Sequence, residues 1–408
     1  VSALPDARIG AVFFSGDVND PNLPCGELQA LGVHTTFIGA WWGLIEPLPG
    51  QYDWSSVDPV VDAALACRLE PVVKVSTGAG PGIDGTPPED LEAFSRFIFN
   101  LAQHLKGRVR AYAIENEIDK VRLAWTAETY GPLRAAAYGS IKQADPDAYV
   151  LDSGMTMQAY IMARADELYR AGQTQQALDM LGRVSASARR QSRRLPTNER
   201  RLAQWLDDPK AQRIVALVHE LYANPETYNA IQLHYLQDAW EFLPEYVSWV
   251  QTWSDKPYEF WEIGYGWEGS EFSEEDHASG VVKTLVTALG EGASRVIYEP
   301  YAEAGHNTGR GLVPSDGPRL AATAYQTMVS QLSGYSHAER LDLGSGLWAY
   351  RFDTPRGDVY VVWAEEGGAV SLPLDAAQAT VTDIIGGSTT ADPAALPVGA
   401  SPIFVSAP

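Results

Sequence analysis

The 408-residue sequence predicts an α/β fold: a (β/α)8 TIM barrel over residues 1–334, then a small C-terminal antiparallel β-sandwich over residues 335–408. Three observations predict it. Short runs rich in Val, Ile, Phe and Tyr alternate with amphipathic helical stretches, which implies parallel strands joined by crossover helices. Eight such runs precede residue 334, the number that closes a barrel. Beyond residue 334 the helical period stops, and strand-length runs are separated by Gly, Asp and Pro turns. A doubly wound open sheet is the alternative, but no Gly-x-Gly-x-x-Gly follows any early strand.

In chain order, the expected barrel strands are residues 8–16, 34–41, 70–77, 108–117, 148–154, 229–235, 256–265 and 294–301. Residues 1–5 are expected to add an edge strand. Residues 88–105 read as a helix with Pro in its first turn and acids after it; residues 273–289 open on Ser-Glu-Glu-Asp, another helix start. Between the fifth and sixth strands, residues 155–225 form a helical insertion longer than one crossover needs. It carries Arg183, Arg189, Arg190, Arg193, Arg194, Arg200 and Arg201. A solvated helix paired with acidic neighbours is the plainer reading of that cluster, and a surface for an acidic partner the alternative. The sandwich strands are expected at 347–352, 358–364, 369–374, 380–385 and 403–406.

Composition narrows the function. Thirty Lys and Arg stand against 52 Asp and Glu, a formal net charge of −22. Such a chain repels phosphate backbones and anionic lipid, so neither nucleic acid nor a membrane surface is an expected partner. No apolar stretch approaches the ~20 residues of a membrane span. Twelve Trp and 19 Tyr suit a sugar pocket, which uses flat aromatic faces, and equally suit a large core. With only Cys25 and Cys67, no four-cysteine zinc site is possible. Placed at opposite ends of their helices, ~15 Å apart for a ten-residue helix, the two are expected to be free thiols, since a disulfide needs Cα atoms within about 7 Å. No His-x-x-x-His occurs, and neither a metal nor any other cofactor is expected. The chain starts at Val1 with no basic-then-apolar leader. The expectation is export with a leader removed, and a cytoplasmic protein is the alternative.

Barrel enzymes take catalytic groups from the C-terminal ends of their strands. Here strand four ends Ala113-Ile114-Glu115-Asn116-Glu117 and strand seven Phe260-Trp261-Glu262-Ile263-Gly264. Strand six ends His234-Tyr235, strand two Trp41-Trp42, and strand eight Tyr298-Glu299-Pro300-Tyr301. Two carboxylates on nearly opposite strands, with an amide, a His-Tyr pair and indoles, suit glycoside hydrolysis. One carboxyl protonates the leaving oxygen and the other traps the oxocarbenium-like centre. A non-catalytic carbohydrate-binding barrel and an interaction scaffold are the alternatives. Glu115 shares parity with Glu117 and would be costly unpaired, so Lys74 on strand three is its expected partner, with a contact from Lys74 to substrate the alternative.

These segments resemble the clan A glycoside hydrolases, most closely the family 39 β-xylosidases and their relatives. Ala113–Glu117 is similar to the clan's Asn-Glu signature, and Lys256-Pro257 through Glu262-x-Gly264 to its strand-seven segment. Trp42-Gly43-Leu44-Ile45-Glu46-Pro47 and Gly311-Leu312-Val313 through Asp316-Gly317-Pro318 also resemble clan loops. The resemblance implies a retaining glycosidase acting on a β-linked carbohydrate, with Glu117 the acid/base and Glu262 the nucleophile. It further implies Asn116 on the sugar 2-hydroxyl, Tyr235 on the nucleophile's oxygen and His234 in the pocket floor, with Trp41, Trp42, Tyr298 and Glu299 as further substrate contacts. Tyr298 or Tyr301 would stand in for the usual strand-eight Trp. Clan members commonly carry an Arg on strand two, and residues 35–42 hold none. The charge of Glu262 is expected to raise the pKa of Glu117.

Overall fold

The computed structural model describes residues 8–12, 19–83, 85–120, 125–187, 195–266, 272–303, 309–314 and 317–408. The expected edge strand at 1–5, the end of the first strand beyond residue 12, and Arg189, Arg190, Arg193, Arg194 and Asp316 lie outside them.

Two four-stranded parallel sheets organise the first part of the chain. One holds β2 (Thr35–Trp41), β3 (Glu70–Ser76), β4 (Ala111–Ile114) and β5 (Tyr149–Leu151) in sequential order. The other runs β1 (Ile9–Ala11), β8 (Arg295–Tyr298), β7 (Tyr258–Tyr265), β6 (Ile231–Gln237). Backbone hydrogen bonds bridge both seams, His34 N to Ile9 O at 3.2 Å and Asn229 N to Val150 O at 2.7 Å. Each strand, or the residue beside it, contributes to one apolar cluster: Val12, Phe37, Val72, Ala111, Ala113, Leu151, Ala230, Trp261 and Ile297. Successive strand side chains point to opposite faces, so this set defines the inner face of all eight.

Helices cover the outside: α1 (Cys25–Leu31), α2 (Trp42–Ile45), α3 (Asp58–Ala66), α4 (Leu91–Leu105), α5 (Ala127–Ala144), α6 (Met157–Arg170), α7 (Thr174–Ser187), α8 (Glu199–Leu206), α9 (Pro209–Ala223), α10 (Leu243–Trp253), α11 (Glu274–Gly290) and α12 (Leu320–Leu332). The starts follow local chemistry. Asp90 caps α4 by accepting from Ala93 N, and Ser273 caps α11 by accepting from Asp276 N, each satisfying an orphan helix donor. The expected insertion is α6–α9. Arg183 in it pairs with Glu245 through two contacts of 2.9 and 2.6 Å, as the solvated-helix reading requires, while Arg200 and Arg201 are exposed.

The cysteines correct the sequence reading: Cys25 and Cys67 form a disulfide, with Cα atoms 4.9 Å apart. The free-thiol argument assumed full-length helices in step. In fact α1 has only seven residues, so its first residue lies level with the end of α3, where Gln29 also donates to Cys67 O at 2.9 Å.

Beyond residue 334 the strands are antiparallel: β9 (His337–Arg340), β10 (Leu347–Thr354), β11 (Gly357–Ala364), β12 (Gly368–Val370), β13 (Ala379–Asp383), β14 (Ser388–Ala391), β15 (Leu396–Val398) and β16 (Ile403–Ser406). Six form one sheet in the order β14-β13-β16-β11-β10-β9, and β12 pairs with β15. One face of the sheet joins the main core through Tyr350, Phe352, Val361 and Trp363. There Trp240 packs edge-on against Trp348 and Trp363, with ring centroids 4.6 and 5.2 Å apart. The other face makes a smaller cluster with Val370, Leu396 and Val398 of the β12–β15 ribbon. The Trp excess therefore serves packing in good part.

Candidate active site

At the C-terminal end of β4 the chain takes an unusual path. Glu115 and Glu117 have φ of 67° and 47°, a left-handed conformation that costs a side-chain-bearing residue about 1–2 kcal/mol. Hydrogen bonds hold it there: Glu115 N to Val75 O at 2.7 Å and Glu117 N to Ser153 O at 2.9 Å. The alternating path turns Glu115 aside. Its carboxylate accepts from Thr77 N at 2.6 Å and from Ser76 Oγ at 3.3 Å, tying β4 to the loop after β3. The expected Glu115–Lys74 pair does not form.

Lys74 instead reaches Glu262. Its ammonium makes an ion pair with Glu262 Oε1 and donates to Asn116 Oδ1 at 2.8 Å. β7 carries an irregularity that puts Glu262 within reach. Leu233 pairs with Phe260 but His234 pairs with Glu262, so one extra residue sits in β7. Such a bulge re-aims the side chains that follow it. Trp261 fills the interior, while Glu262 turns inward beside it. Gly264 then lets the chain after β8 approach, since a Cβ there would lie 2.6 Å from Glu299 O.

His234 stands between the two carboxylates. Its Nδ1 lies 2.9 Å from Glu117 Oε1 and 3.2 Å from Glu262 Oε2. Two carboxylates offer only acceptors, so Nδ1 carries a proton. On the other edge of the ring, Gly154 leaves room where a Cβ would lie 2.3 Å from Nε2. Oxygens of Glu117 and Glu262 and a ring nitrogen of His234 all lie within 4.8 Å of one another. Three such groups could ligate a cation, but the ammonium groups of Lys74 and Lys120 already contact Glu262 and Glu117. That donor set suits an organic substrate better than a metal.

The charge states follow from these neighbours. Burial pushes Glu262 up, but His234 and Lys74 outweigh it and hold its carboxyl well below the usual range. Burial and the charge of Glu262 also push Glu117 up, yet the His234 hydrogen bond and the nearby His234 and Lys120 side chains leave it lowered. The charge of Glu262 acts in the expected direction, but the net shift at Glu117 is downward. The raised carboxyl is Glu299, buried and facing Glu262, and pushed up to about 8 by burial first and the charge of Glu262 second. Arg310 Nη2 contacts its other side at 3.3 Å. Near the site, burial lifts Asp119 and Asp152 to about 6 each.

The remaining expected residues divide by strand parity. Asn116 is exposed at the opening, and Trp41 lies across the inner face of β2, its ring where a Gly39 Cβ would stand. Four others correct the sequence reading. Tyr235 alternates outward from His234; its hydroxyl donates to Ala239 O and its ring stacks on Tyr246, so it cannot hold Glu262. Trp42 begins α2, stacks on Phe97 at 5.8 Å and donates to Glu46 Oε2 at 2.7 Å, away from the carboxylates. Tyr298 also points outward and donates to Arg310 O at 2.7 Å, and Tyr301 donates to Glu27 at 2.6 Å. Neither is a platform. Lys120 and Arg310 were missed; both lie in loops, where strand-end reading has no period to follow.

No family model and no curated protein matches this sequence. Solved structures do. A family 39 glycoside hydrolase from Bacteroides cellulosilyticus WH2 superposes with a TM-score of 0.69 at 15% identity, covering 99% of this chain and 81% of that one. A GH39 β-xylosidase from Caulobacter crescentus gives 0.60 at 14%, covering 100% and 98%. A GH30 endoxylanase from Clostridium papyrosolvens C71 gives 0.58 at 13%, covering 99% and 97%. The chain shares the fold of these glycoside hydrolases.

Proposed function

We propose that this chain is a retaining glycoside hydrolase acting on a β-linked carbohydrate. The observation that carries the reading is the opposed pair Glu117 and Glu262, with oxygens within 4.8 Å of each other. Retaining enzymes keep their carboxyl groups about 5–5.5 Å apart, and inverting ones leave room for a water. Glycoside hydrolase neighbours of the same fold support it, as does the closed (β/α)8 barrel we infer from the bridged seams and the shared interior. On this reading residues 1–334 are the catalytic barrel and 335–408 a β-sandwich domain. The Cys25–Cys67 disulfide supports an oxidising, extracytoplasmic location. No described helix is long and apolar enough to cross a membrane.

In the first step a Glu262 oxygen attacks the anomeric carbon and the glycosidic C–O bond breaks. Glu117 gives its proton to the departing oxygen, leaving a glycosyl ester on Glu262. In the second, Glu117 takes a proton from water, the water oxygen bonds to the anomeric carbon, and the ester bond breaks. Lys74, a donor only, fixes Asn116 Oδ1 toward itself. The Asn116 amide hydrogens then face the sugar 2-hydroxyl, where a bond that tightens in the transition state speeds the step.

Proton NMR of early turnover on an aryl β-glycoside tests this: the first anomer released should be β, and an α anomer rejects Glu262 as nucleophile. Glu262→Ala should abolish turnover. Glu117→Ala should spare substrates with good leaving groups and yield a β-glycosyl azide when azide is added.

A further inference from the structure

The insertion α6–α9 has no role in the two-step chemistry, yet it is bound directly to the segment that carries Glu117. Arg213 on α9 donates to four backbone carbonyls of that segment: Ile118 at 3.2 Å, Trp125 at 2.7 Å, Asp119 at 2.9 Å and Lys120 at 3.2 Å. Between insertion and site runs a cavity of about 730 Å³. Glu117 and His234 line its inner end, and Met157, Met162, Trp205 and Ile214 its outer wall.

We infer that this cavity is a leaving-group subsite built by the insertion, and that it selects glycosides whose aglycone presents a flat apolar face. The inference rests on the proposed glycosidase reading and says which part of the substrate the cavity takes. Direction decides it. The proton donor stands beside the leaving oxygen and the nucleophile beneath the sugar ring, so space beyond Glu117 belongs to the aglycone. Glu117 lines this cavity, and Glu262 is not among its described lining residues.

The chemistry of the wall gives the ligand class. In α8, Leu202 and Leu206 are buried in the core, while Trp205 between them stays half-buried at the cavity. Two of the chain's five methionines line the same wall. Thioethers adapt to irregular apolar shapes and contact ring edges favourably, and an indole face offers stacking area. Lys120, Asp208 and Lys210 at the rim leave polar contacts for the oxygen end.

The test compares wild type with Trp205→Ala and Trp205→Phe on one sugar carrying three leaving groups: fluoride, a second sugar, and a naphthyl group. Trp205→Ala should lower kcat/KM for the naphthyl glycoside at least tenfold relative to the fluoride. The disaccharide ratio should fall less, and Trp205→Phe should restore most of the loss. Equal losses on all three substrates, or a larger loss on the disaccharide, overturn the inference. Quenching of tryptophan fluorescence by free 2-naphthol reads the cavity without turnover. Binding that Trp205→Ala abolishes supports the subsite, and no binding to wild type overturns it even if glycosides are hydrolysed. Binding without any glycoside turnover would instead reject the glycosidase reading and leave an aromatic site.

Discussion

The interior shared by the two parallel sheets holds a buried charge cluster at each end, and the two are built to opposite rules. At the N-terminal end, Arg295 lies between two carboxylates, donating to Glu70 Oε1 at 2.8 Å and facing Glu259 Oε2 at 3.3 Å. Thr35 Oγ1 accepts from it at 3.1 Å, and Trp261 Nε1 donates to Glu259 at 2.7 Å. Every partner is protein, and no residue of the cluster has a left-handed backbone. At the C-terminal end, Glu117 has such a backbone, Asn116 is exposed, and a cavity opens onto Glu117 and His234. Two acids are held ionised there while a third, Glu299, is pushed up to about 8. Strain and unequal acids kept beside open space mark a place where the chain gives up stability for reactivity. Charge partnered entirely by protein groups, on a backbone without left-handed residues, marks a place where it does not.

Breaking each cluster at its cation gives the largest contrast. Arg295→Met leaves two buried carboxylates without their partner and should cost about 3–5 kcal/mol of stability. On the proposed glycosidase reading, the protein that remains folded should keep its kcat. Lys74→Met should do the reverse. It removes a preorganised donor from Glu262 and frees Asn116, so kcat should fall at least about a hundredfold, with a smaller loss of stability because His234 still contacts Glu262. Urea unfolding beside steady-state kinetics separates the two. If Lys74→Met loses stability and not rate, the two ends follow the same rule.

The two ends were also unequally legible in the sequence. Strand-length apolar runs located all eight strands, because an inner face packed on one cluster demands Val, Ile, Ala and Phe at alternate positions. Glu117, Glu262, Asn116 and His234 were found because they end those strands. Period also set the limit. The left-handed turns after β4 break alternation, so simple parity paired Glu115 with Lys74, while Tyr235 was misassigned by the family resemblance, which strand parity at His234 contradicts. Helix length was illegible where few residues carry a pattern, and the seven-residue α1 concealed the disulfide. β9, β14 and β15, of three or four residues, are too short for an alternation to register.

Glu299 sharpens the contrast through pH. Its folded pKa of about 8 lies above the ordinary glutamate value of 4.5. The folded state therefore binds this proton more tightly than the unfolded one. That contribution is complete below 4.5 and is lost as pH rises through about 8. The thermal midpoint of the wild type should fall between pH 6 and 9 more than that of Glu299→Gln, which keeps a neutral group at every pH. Arg295→Met should leave that difference in place. Parallel slopes for wild type and Glu299→Gln would mean that Glu299 is not the titrating group.

The smallest expected effect bears on how the reactive end is set. Resting Glu117 is held ionised, yet on the proposed glycosidase reading the first step needs it protonated. Two donors hold it so: His234, which is buried and also contacts Glu262, and Lys120, which is nearly half exposed and contacts Glu117 Oε2. A leaving-group oxygen must take its proton from a carboxyl oxygen, and Lys120 stands on one of them. Substrate that displaces the ammonium removes one of the influences lowering Glu117, so arrival of the aglycone itself favours the proton. Lys120→Met should make that change permanent. The alkaline limb of kcat/KM, which reports the free enzyme, should move to higher pH. The limb of kcat should move less, because in the bound complex Lys120 has already left. The shift should be modest, since His234 keeps the larger share and an exposed ammonium is screened. Profiles of both constants on a poor leaving group, at low and at high salt, would measure it. A downward shift, or equal shifts in both constants, would mean that Lys120 does not set the resting charge of Glu117.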